Sequence, residues 1–531
     1  MKKLIILTTS LLILSFSAFS RNQPNIIVVL VDDMGYSDIG CYGGEIETPN
    51  IDRLAKDGIR FRQFYNTARC CPTRASMLTG LFQHQMGIGL MTSEGRWDFD
   101  FGVDGYSGNL NRNGVTIAEV LKSAGYHTYM TGKWHLGSAD IDDRPNQRGF
   151  DRYYGCHRGA FSFFKLEGEK HLWLDNNPLP PTDSETYYTT DAFTDKAIEF
   201  IVSNEPGEPF FLYLAHNAPH WPLHAKEQDI EKYVGNYSKG WDKIREERLQ
   251  RQKEIGLFDE SVQLTERDKR VRPWAEVDAK QKVHSDYRMA VYAAQVDCVD
   301  QNMGKLIEAL EKRGELDNTL ILFLSDNGAS PEPFNEFGGQ DMDQINNPDN
   351  GGIVSYGLGW ANASSTPFHS YKRNAEEGGI RTPLVVHWPK GISKKLRGEW
   401  VDATGHIVDF MPTFVELSGA KYPTMHKSHS ILPMEGHSLV QVFKEGVKDH
   451  EHTMFFEHTN NCGIRSGDWK MVCRFGEWDW KLYDLKNDPV ETNDLAKQRP
   501  DVVAELAAAW HSWSKRAKVT PKGTKTENSY D

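Results

Sequence analysis

Short apolar runs recur along the chain and alternate with segments of helical periodicity. Asn25–Val31 is almost entirely apolar and β-branched, as expected of a parallel strand that is buried on both faces. Similar runs predict further strands at residues 126–130, 209–215, 319–324 and 382–388. Helical patterns lie between these runs, at residues 50–58 and 116–123 and in a long amphipathic segment that ends at Gly314. The alternation predicts an α/β fold with a large, mostly parallel sheet flanked by helices.

The pattern changes from about residue 425 onwards. Short alternating runs at 468–473 and 480–485 are separated by glycine and aspartate, which is typical of an antiparallel sheet. A helical pattern follows at residues 501–515. We therefore expect a main α/β domain, a smaller domain of antiparallel sheet plus helix, and a polar tail, at residues 21–424, 425–517 and 518–531.

The first twenty residues differ from the rest of the chain. Lys2 and Lys3 precede an apolar run from Leu4 to Leu14, and small residues follow near Ser20. This order predicts a signal peptide at residues 1–20 and export to the periplasm or the medium. No cysteine follows the apolar run and no second long apolar segment occurs, so we expect no lipid or membrane anchor.

The charge and cysteine content exclude several classes of function. The formal net charge of −13 argues against a nucleic-acid or anionic-membrane partner, because such partners require basic patches. The seven cysteines are scattered and do not resemble a disulfide framework. A single bridge between Cys462 and Cys473, facing each other across a hairpin, is conceivable but cannot be deduced from sequence.

Polar residues follow the predicted strands at the point where each strand ends. Asp32 and Asp33 come directly after the first strand, and Asp326 and Asn327 come just after the run at 319–324. The carboxyl ends of parallel strands lie at one edge of the sheet, where open α/β folds bind ligands. These hard oxygen ligands suit Ca²⁺ or Mg²⁺, and the sequence does not choose between the two. The alternative is that each pair forms an ordinary turn.

Residues 69–80, Arg-Cys-Cys-Pro-Thr-Arg-Ala-Ser-Met-Leu-Thr-Gly, combine a nucleophile with an anion-binding pattern. Pro72 and Gly80 predict the start and end of a helix, so Cys70 is expected at or just before its N-terminus. That end carries free N–H groups, and Arg74 adds a planar fork of donors about one turn inside the helix. The competing interpretation is a buried cysteine beside a structural arginine.

The spacing of Cys70, Pro72 and Arg74, followed by Leu-Thr-Gly, resembles the signature of formylglycine-dependent sulfatases of the alkaline phosphatase superfamily. Residues 218–223 and 314–318 are most similar to bacterial arylsulfatase-type enzymes. The resemblance implies that a formylglycine-generating enzyme or another maturase oxidises Cys70, and not Cys71, to an aldehyde. Thr73 stands where the family more often has serine, which keeps the hydroxyl group.

The resemblance also implies a set of ligands for the metal ion and the sulfate group. One divalent cation, usually Ca²⁺ in this family, is held by the formylglycine and by Asp32, Asp33, Asp326 and Asn327. Lys133 and Lys372 hold the sulfate oxygens, and Arg74 assists. The local pattern around Lys372 is the weakest of these matches.

Proton transfers are assigned in the same way. The resemblance places His220 at the leaving group as general acid and His135 against the formylglycine, with Asp326 taking a proton from the nucleophile. Lys133 and His135 are two residues apart, so they face the same way if the preceding strand continues. His216 is expected to be structural.

The expected activity is hydrolysis of a sulfate monoester, and two alternatives remain. They are a phosphodiesterase or phosphonate monoester hydrolase of the same superfamily, and a non-enzymatic calcium- or glycan-binding protein. The acidic chain and the small number of assigned cations favour a small substrate with a neutral body, namely a terminal sulfated sugar. Trp221 and Trp360 are candidates for stacking on the sugar ring, against the alternative that they pack in the core.

Overall fold

The computed structural model describes residues 23–92, 103–183, 185–339, 341–350, 352–447 and 452–520. The predicted signal peptide lies outside the described residues, as does the predicted tail from residue 521 onwards. Within the described ranges, no helix is both long and apolar enough to span a membrane.

The main domain is built on a ten-stranded sheet with the order β10-β2-β9-β8-β1-β7-β3-β4-β5-β6. Its strands, in chain order, are β1 (Asn25–Val31), β2 (Ile59–Tyr65), β3 (His127–Lys133), β4 (Arg152–Cys156), β5 (Trp173–Leu174), β6 (Asn177–Pro178), β7 (Phe210–Ala215), β8 (Thr319–Ser325), β9 (Arg381–His387) and β10 (Trp400–His406). The five neighbours β8-β1-β7-β3-β4 are mutually parallel, whereas β9 is antiparallel to both β2 and β8. The predicted α/β class and the mostly parallel sheet are confirmed.

Helices cover both faces of this sheet and create two hydrophobic cores. Successive residues of β1 alternate between them: Ile27 and Val29 pack in one core, and Ile26 and Val28 pack in the other. This explains the unbroken apolar run, because a strand between two helical layers has no solvent face. The α-helices lie at Pro49–Asp57, Cys70–Thr79, Ile117–Lys122, Thr189–Val202, Glu227–Ile230, Gly240–Glu254, Ala279–Lys312, Gly357–Ser364, Glu377–Ile380, Phe410–Ser418, Val440–Glu445 and Pro500–Ala517.

The C-terminal region forms the predicted antiparallel sheet with a helix packed on it. Its strands are β13 (Met454–His458), β14 (Asn461–Ser466), β15 (Trp469–Arg474) and β16 (Lys481–Asp484), paired in chain order; a small separate hairpin, β11 (Met425–His426) and β12 (His429–Ser430), precedes them. Trp510 and Trp513 of helix Pro500–Ala517 pack against this sheet. Cys462 and Cys473 are directly opposite across β14 and β15, and both are present as thiols.

Candidate active site

The polar clusters predicted at the strand ends meet at one edge of the sheet. Asp32 and Asp33 follow β1, and Asp326 and Asn327 follow β8, its direct neighbour. Lys133 is the last residue of β3, which extends three residues beyond the predicted end. All five side chains are almost completely buried. Because β8, β1, β7 and β3 are neighbours in the sheet, these residues, which are far apart in sequence, lie together in one polar site below the surface.

The helix that carries the cysteine begins at Cys70 and ends at Thr79, and Gly80 follows in the left-handed conformation that favours glycine (φ 66°). Pro72 is the third helical residue and not the first. Arg74 donates from Nη2 to Asp326 Oδ2 at 2.7 Å and from Nε to the same atom at 3.1 Å. A third bond runs from its Nη1 to the backbone carbonyl of Lys133 at 2.9 Å. Arg74 thus ties the cysteine helix to β8 and β3.

Two lysine side chains neutralise the two aspartates that follow β1. Lys133 Nζ contacts Asp32 Oδ2, and Lys372 Nζ lies 2.7 Å from Asp33 Oδ1. The amide of Asn327 donates to that same Asp33 oxygen at 2.7 Å. The remaining oxygens Asp32 Oδ1 and Asn327 Oδ1 are buried and have no hydrogen-bond partner among the described residues. Orphaned buried oxygens on two adjacent strand ends are suitable for a hard divalent cation.

The environment shifts the pKa values of these groups in opposite directions. Burial opposes the ionisation of Asp32, but Lys133, His220 and Arg74 outweigh it and lower the pKa of this carboxyl. For Asp326, burial and the neighbouring Asp32 raise the pKa in spite of Arg74. A hydrogen bond from Cys71, with help from Lys133 and His135, lowers the pKa of the Cys70 thiol well below its ordinary value. The site therefore favours an anion at the side chain of residue 70.

Two histidines face the same space from different strands. His135 follows β3 with a left-handed backbone (φ 54°), and its ring lies close enough to Cys70 for both to share one ion. The Nδ1 of His220 is 2.6 Å from the carbonyl of Trp221, which fixes the proton on that nitrogen and leaves Nε2 facing Lys372 and Asp33. Burial lowers the pKa of His220, and the two aspartates oppose this effect. His216 is fully buried, its ring nitrogens have no hydrogen-bond partner within the described ranges, and it does not line the cavity described next.

A cavity of about 930 Å³ opens above these groups. Cys70, His135, His220 and Lys372 line its inner end. Residues 157–160, residues 169–171 and Trp173 also line the cavity, and Gly159 lies against the ring of His135. This volume lies at the upper end of the range for small-molecule sites and admits more than one sugar ring.

The two tryptophan candidates have different outcomes. Trp221 lines the cavity and is partly exposed, as the stacking hypothesis requires. Trp360 is fully buried in helix Gly357–Ser364, where its Nε1 donates to the carbonyl of Ser285. Trp360 therefore cannot stack on a sugar, and the alternative of core packing holds, because the loop rich in glycine and asparagine ends just before it.

Several residues that line the cavity carry no recognisable sequence signal. Arg69 precedes the cysteine helix and forms an ion pair with Glu332 at 3.0 Å. Arg158, which also lines the cavity, pairs with Glu169 at 3.2 Å, and Lys170 is adjacent. The cavity therefore contains more cations than the three assigned from sequence. Only the position of Arg69 next to Cys70 could have suggested one of them.

Gly159 is expected to control the position of His135. A Cβ atom at residue 159 would lie 2.4 Å from both Cε1 and Nε2 of the His135 ring, well inside contact distance. Gly159→Ala should therefore displace the ring and lower kcat by about 10²-fold, the cost of a displacement of roughly 1 Å at a reacting group. Steady-state kinetics measures the loss, and an unchanged melting temperature shows that the fold is intact. Wild-type kcat in this variant would contradict the assigned position of His135.

The chain is similar to known proteins along most of its length. Residues 24–420 match the family model for sulfatases, and residues 368–515 match the model for the C-terminal region of N-sulphoglucosamine sulphohydrolase. An arylsulfatase of Klebsiella aerogenes is 34% identical, covering 80% of this chain and 92% of that protein. An N-acetylglucosamine-6-O-sulfatase of Bacteroides thetaiotaomicron is 30% identical, covering 89% of this chain and 82% of the relative.

Solved structures show the same architecture. The structure of Ps i-CgsB in complex with k-i-k-neocarrahexaose aligns with a TM-score of 0.68 and 26% identity, over 96% of this chain and all of that one. A second structure, in complex with its substrate D-glucosamine-2-N,6-O-disulfate, aligns with a TM-score of 0.64 and 24% identity, over 95% of this chain and all of that one. The second likeness concerns the fold alone.

Proposed function

Because the chain belongs to the sulfatase family, whose members are sulfuric ester hydrolases, we propose that it removes sulfate from a sulfated sugar through a formylglycine at residue 70. The observation that carries this proposal is the meeting of Cys70, Lys133, His220 and Lys372 at the inner end of one large cavity or directly beneath it. The sugar is supported by the name of the Bacteroides relative and by the oligosaccharide complex of Ps i-CgsB.

The proposed chemistry requires two groups that the chain acquires. When present, the hydrated formylglycine supplies the nucleophilic oxygen, and the divalent cation supplies electrophilic assistance to the sulfate. The donor set fits a cation, since Asp32, Asp33, Asp326 and Asn327 are buried together and two of their oxygens have no partner among the described residues. The cysteine also fits the modification, because Cys70 is the first residue of its helix and its side chain reaches the cavity.

The residues of the chain supply the remaining functions. Lys133 and Lys372 place two ammonium groups beside the carboxylates, where they also neutralise the sulfate oxygens. With its Nδ1 proton held by the carbonyl of Trp221, His220 acts as general acid when Nε2 is protonated as well, a charge that Asp33 and Asp32 favour. It then donates the Nε2 proton to the leaving oxygen, so an alkoxide need not be released. His135 stands beside residue 70 and accepts a proton from it when sulfate is released. Arg74 fixes the position of Asp326 relative to the cysteine helix.

A divalent cation should stabilise the folded protein. We expect Ca²⁺ added to chelator-treated protein to raise the free energy of unfolding, by about 2.7 kcal/mol when its concentration is 100 times the dissociation constant. Thermal unfolding with and without Ca²⁺ or Mg²⁺ measures the effect and ranks the two ions. The double variant Asp32→Asn/Asp326→Asn should show no such increase. An equal increase in the variant would place the ion elsewhere.

A hydrolysis screen tests the proposed activity. Protein produced with a maturase is compared on sulfated monosaccharides, sulfated oligosaccharides, 4-nitrophenyl sulfate and an aryl phosphodiester, with released sulfate or phosphate as the readout. The proposal predicts the highest kcat/KM on a sulfated sugar. A preference for the phosphodiester would support the alternative within the superfamily, and turnover of aryl sulfates alone would exclude the sugar. We also propose that the protein is exported, which agrees with an extracellular glycan as its substrate.

A further inference from the structure

Glu332 is a largely buried acid that the proposed chemistry leaves without a role. It belongs to the long loop between β8 and helix Gly357–Ser364 and lines the cavity next to Cys70, His220 and Lys372. About 13% of its side chain remains accessible. A carboxylate beside a sulfate-binding site repels the sulfate group unless cations neutralise its charge. The presence of Glu332 at this place therefore requires an explanation.

Three donors hold this carboxylate in place. Oε1 lies 3.0 Å from Nη1 of Arg69, while Oε2 accepts from Nε1 of Trp221 at 3.0 Å and lies 3.5 Å from Nζ of Lys372. Burial opposes its ionisation, but Arg69, Lys372 and His220 outweigh it and lower the pKa of Glu332 far below the ordinary range. Glu332 is therefore an acceptor only, and its charge is compensated.

The cluster formed by Arg69, Trp221 and Glu332 still has unused hydrogen-bonding capacity. A carboxylate offers about four acceptor positions, of which three are occupied here. The Nε of Arg69 is buried and has no partner in the part of the chain that the structure describes. A sulfate ester carries no hydrogen to donate, so the free acceptor must serve the alcohol portion of the substrate. A sugar hydroxyl can donate to Glu332, beside the guanidinium of Arg69 that also lines the cavity, while its ring lies against Trp221.

We propose that Glu332, with Arg69 and Trp221, is the specificity determinant that selects sugars with a free hydroxyl next to the sulfate ester. The proposal rests on the proposed function and deepens it. A site built to bind a hydroxyl rejects analogues that lack it, because its buried polar groups are then left unpaired. Aryl sulfates bypass this selection, since they have no hydroxyl at that position and leave readily.

The test compares kcat/KM of Glu332→Gln on two substrates, the best sugar sulfate of the screen and 4-nitrophenyl sulfate. We expect a loss of about 10- to 100-fold on the sugar, the value of a hydrogen bond to a charged group, and a loss of less than about 3-fold on the aryl sulfate. Trp221→Phe keeps the aromatic face but removes one donor, and should show a smaller loss with the same selectivity.

A matched control exists in the same loop. Glu336 pairs with Arg272 at 2.9 Å, is also 13% accessible and does not line the cavity, so Glu336→Gln should leave both substrates unaffected. Melting temperatures of all variants show whether each is folded. A deoxy sugar sulfate that lacks the adjacent hydroxyl completes a double-mutant cycle between Glu332 and that hydroxyl. The wild type should have a low kcat/KM on the deoxy sugar, and Glu332→Gln should not lower this kcat/KM further.

Each remaining outcome overturns the proposal. Equal losses on both substrates would make Glu332 a positioning residue that acts through Lys372, and no loss would remove any role in recognition. Equal kcat/KM values of the wild type on the hydroxylated and deoxy sugars would also show that Glu332 does not recognise the hydroxyl. If wild type releases sulfate from no sugar at all, the proposed function itself fails, and the two failures are thereby distinguished.

Discussion

Cys70→Ala should reduce sulfate release to the background rate, because no other described group at the inner end of the cavity can become the nucleophile. Cys70 starts its helix, reaches the cavity and lies next to His135. Alanine at that position preserves the helix but cannot be oxidised to an aldehyde. Initial rates on 4-nitrophenyl sulfate and on a sugar sulfate measure the effect.

The neighbouring cysteine provides the control. Cys71 is also buried and its thiol lies close to residue 70, but it contacts the backbone of Leu90 and Met91 and does not line the cavity. Cys71→Ser keeps a small hydrogen-bond donor beside residue 70 and should retain activity within about tenfold, the value of one neutral hydrogen bond. Activity that survives Cys70→Ala and disappears in Cys71→Ser would show that the nucleophile is assigned to the wrong cysteine.

His220→Ala should slow sugar sulfates roughly 10²- to 10⁴-fold, the usual contribution of a general acid. Its Nε2 faces the cavity because Nδ1 is held by the carbonyl of Trp221. A sugar alkoxide is a poor leaving group and needs the proton, whereas 4-nitrophenolate leaves without it. The ratio of kcat/KM values on the two substrate types therefore isolates proton donation from sulfate binding.

His216 is the matched control for this experiment. It lies in the same segment after β7, is buried and does not line the cavity. His216→Asn should change stability but lower both rates equally. If His220→Ala lowers both rates by the same factor, the leaving group receives its proton from another residue.

The sequence predicts the elements whose pattern follows from burial alone. β1 is predicted to the residue, because a strand buried on both faces must be apolar throughout. β2 is not predicted: Arg60 and Arg62 interrupt its apolar positions, and both guanidinium groups pack over Trp400 on the neighbouring strand. The antiparallel direction of β9 also has no signal in its own residues, since it depends on the connections around it.

The site residues divide in the same way. Residues with a spacing rule, such as Cys70 and Arg74, or with a position at a strand end, such as Asp32 and Asp326, are identified from the sequence alone. Glu332 is not, because it meets Arg69 only after the long loop has folded back over the cavity. Sequence reasoning thus finds residues marked by a motif or by a strand end, but misses a residue such as Glu332, whose partners come from other segments.

The central claim is that activity comes from an oxidised residue 70, and one titration tests it directly. Batches of protein made with increasing maturase are analysed by peptide mass spectrometry for the aldehyde fraction at residue 70 and assayed in parallel for sulfate release. The account predicts a rate proportional to the aldehyde fraction, passing through the origin. A substantial rate in protein whose residue 70 is entirely cysteine would contradict it.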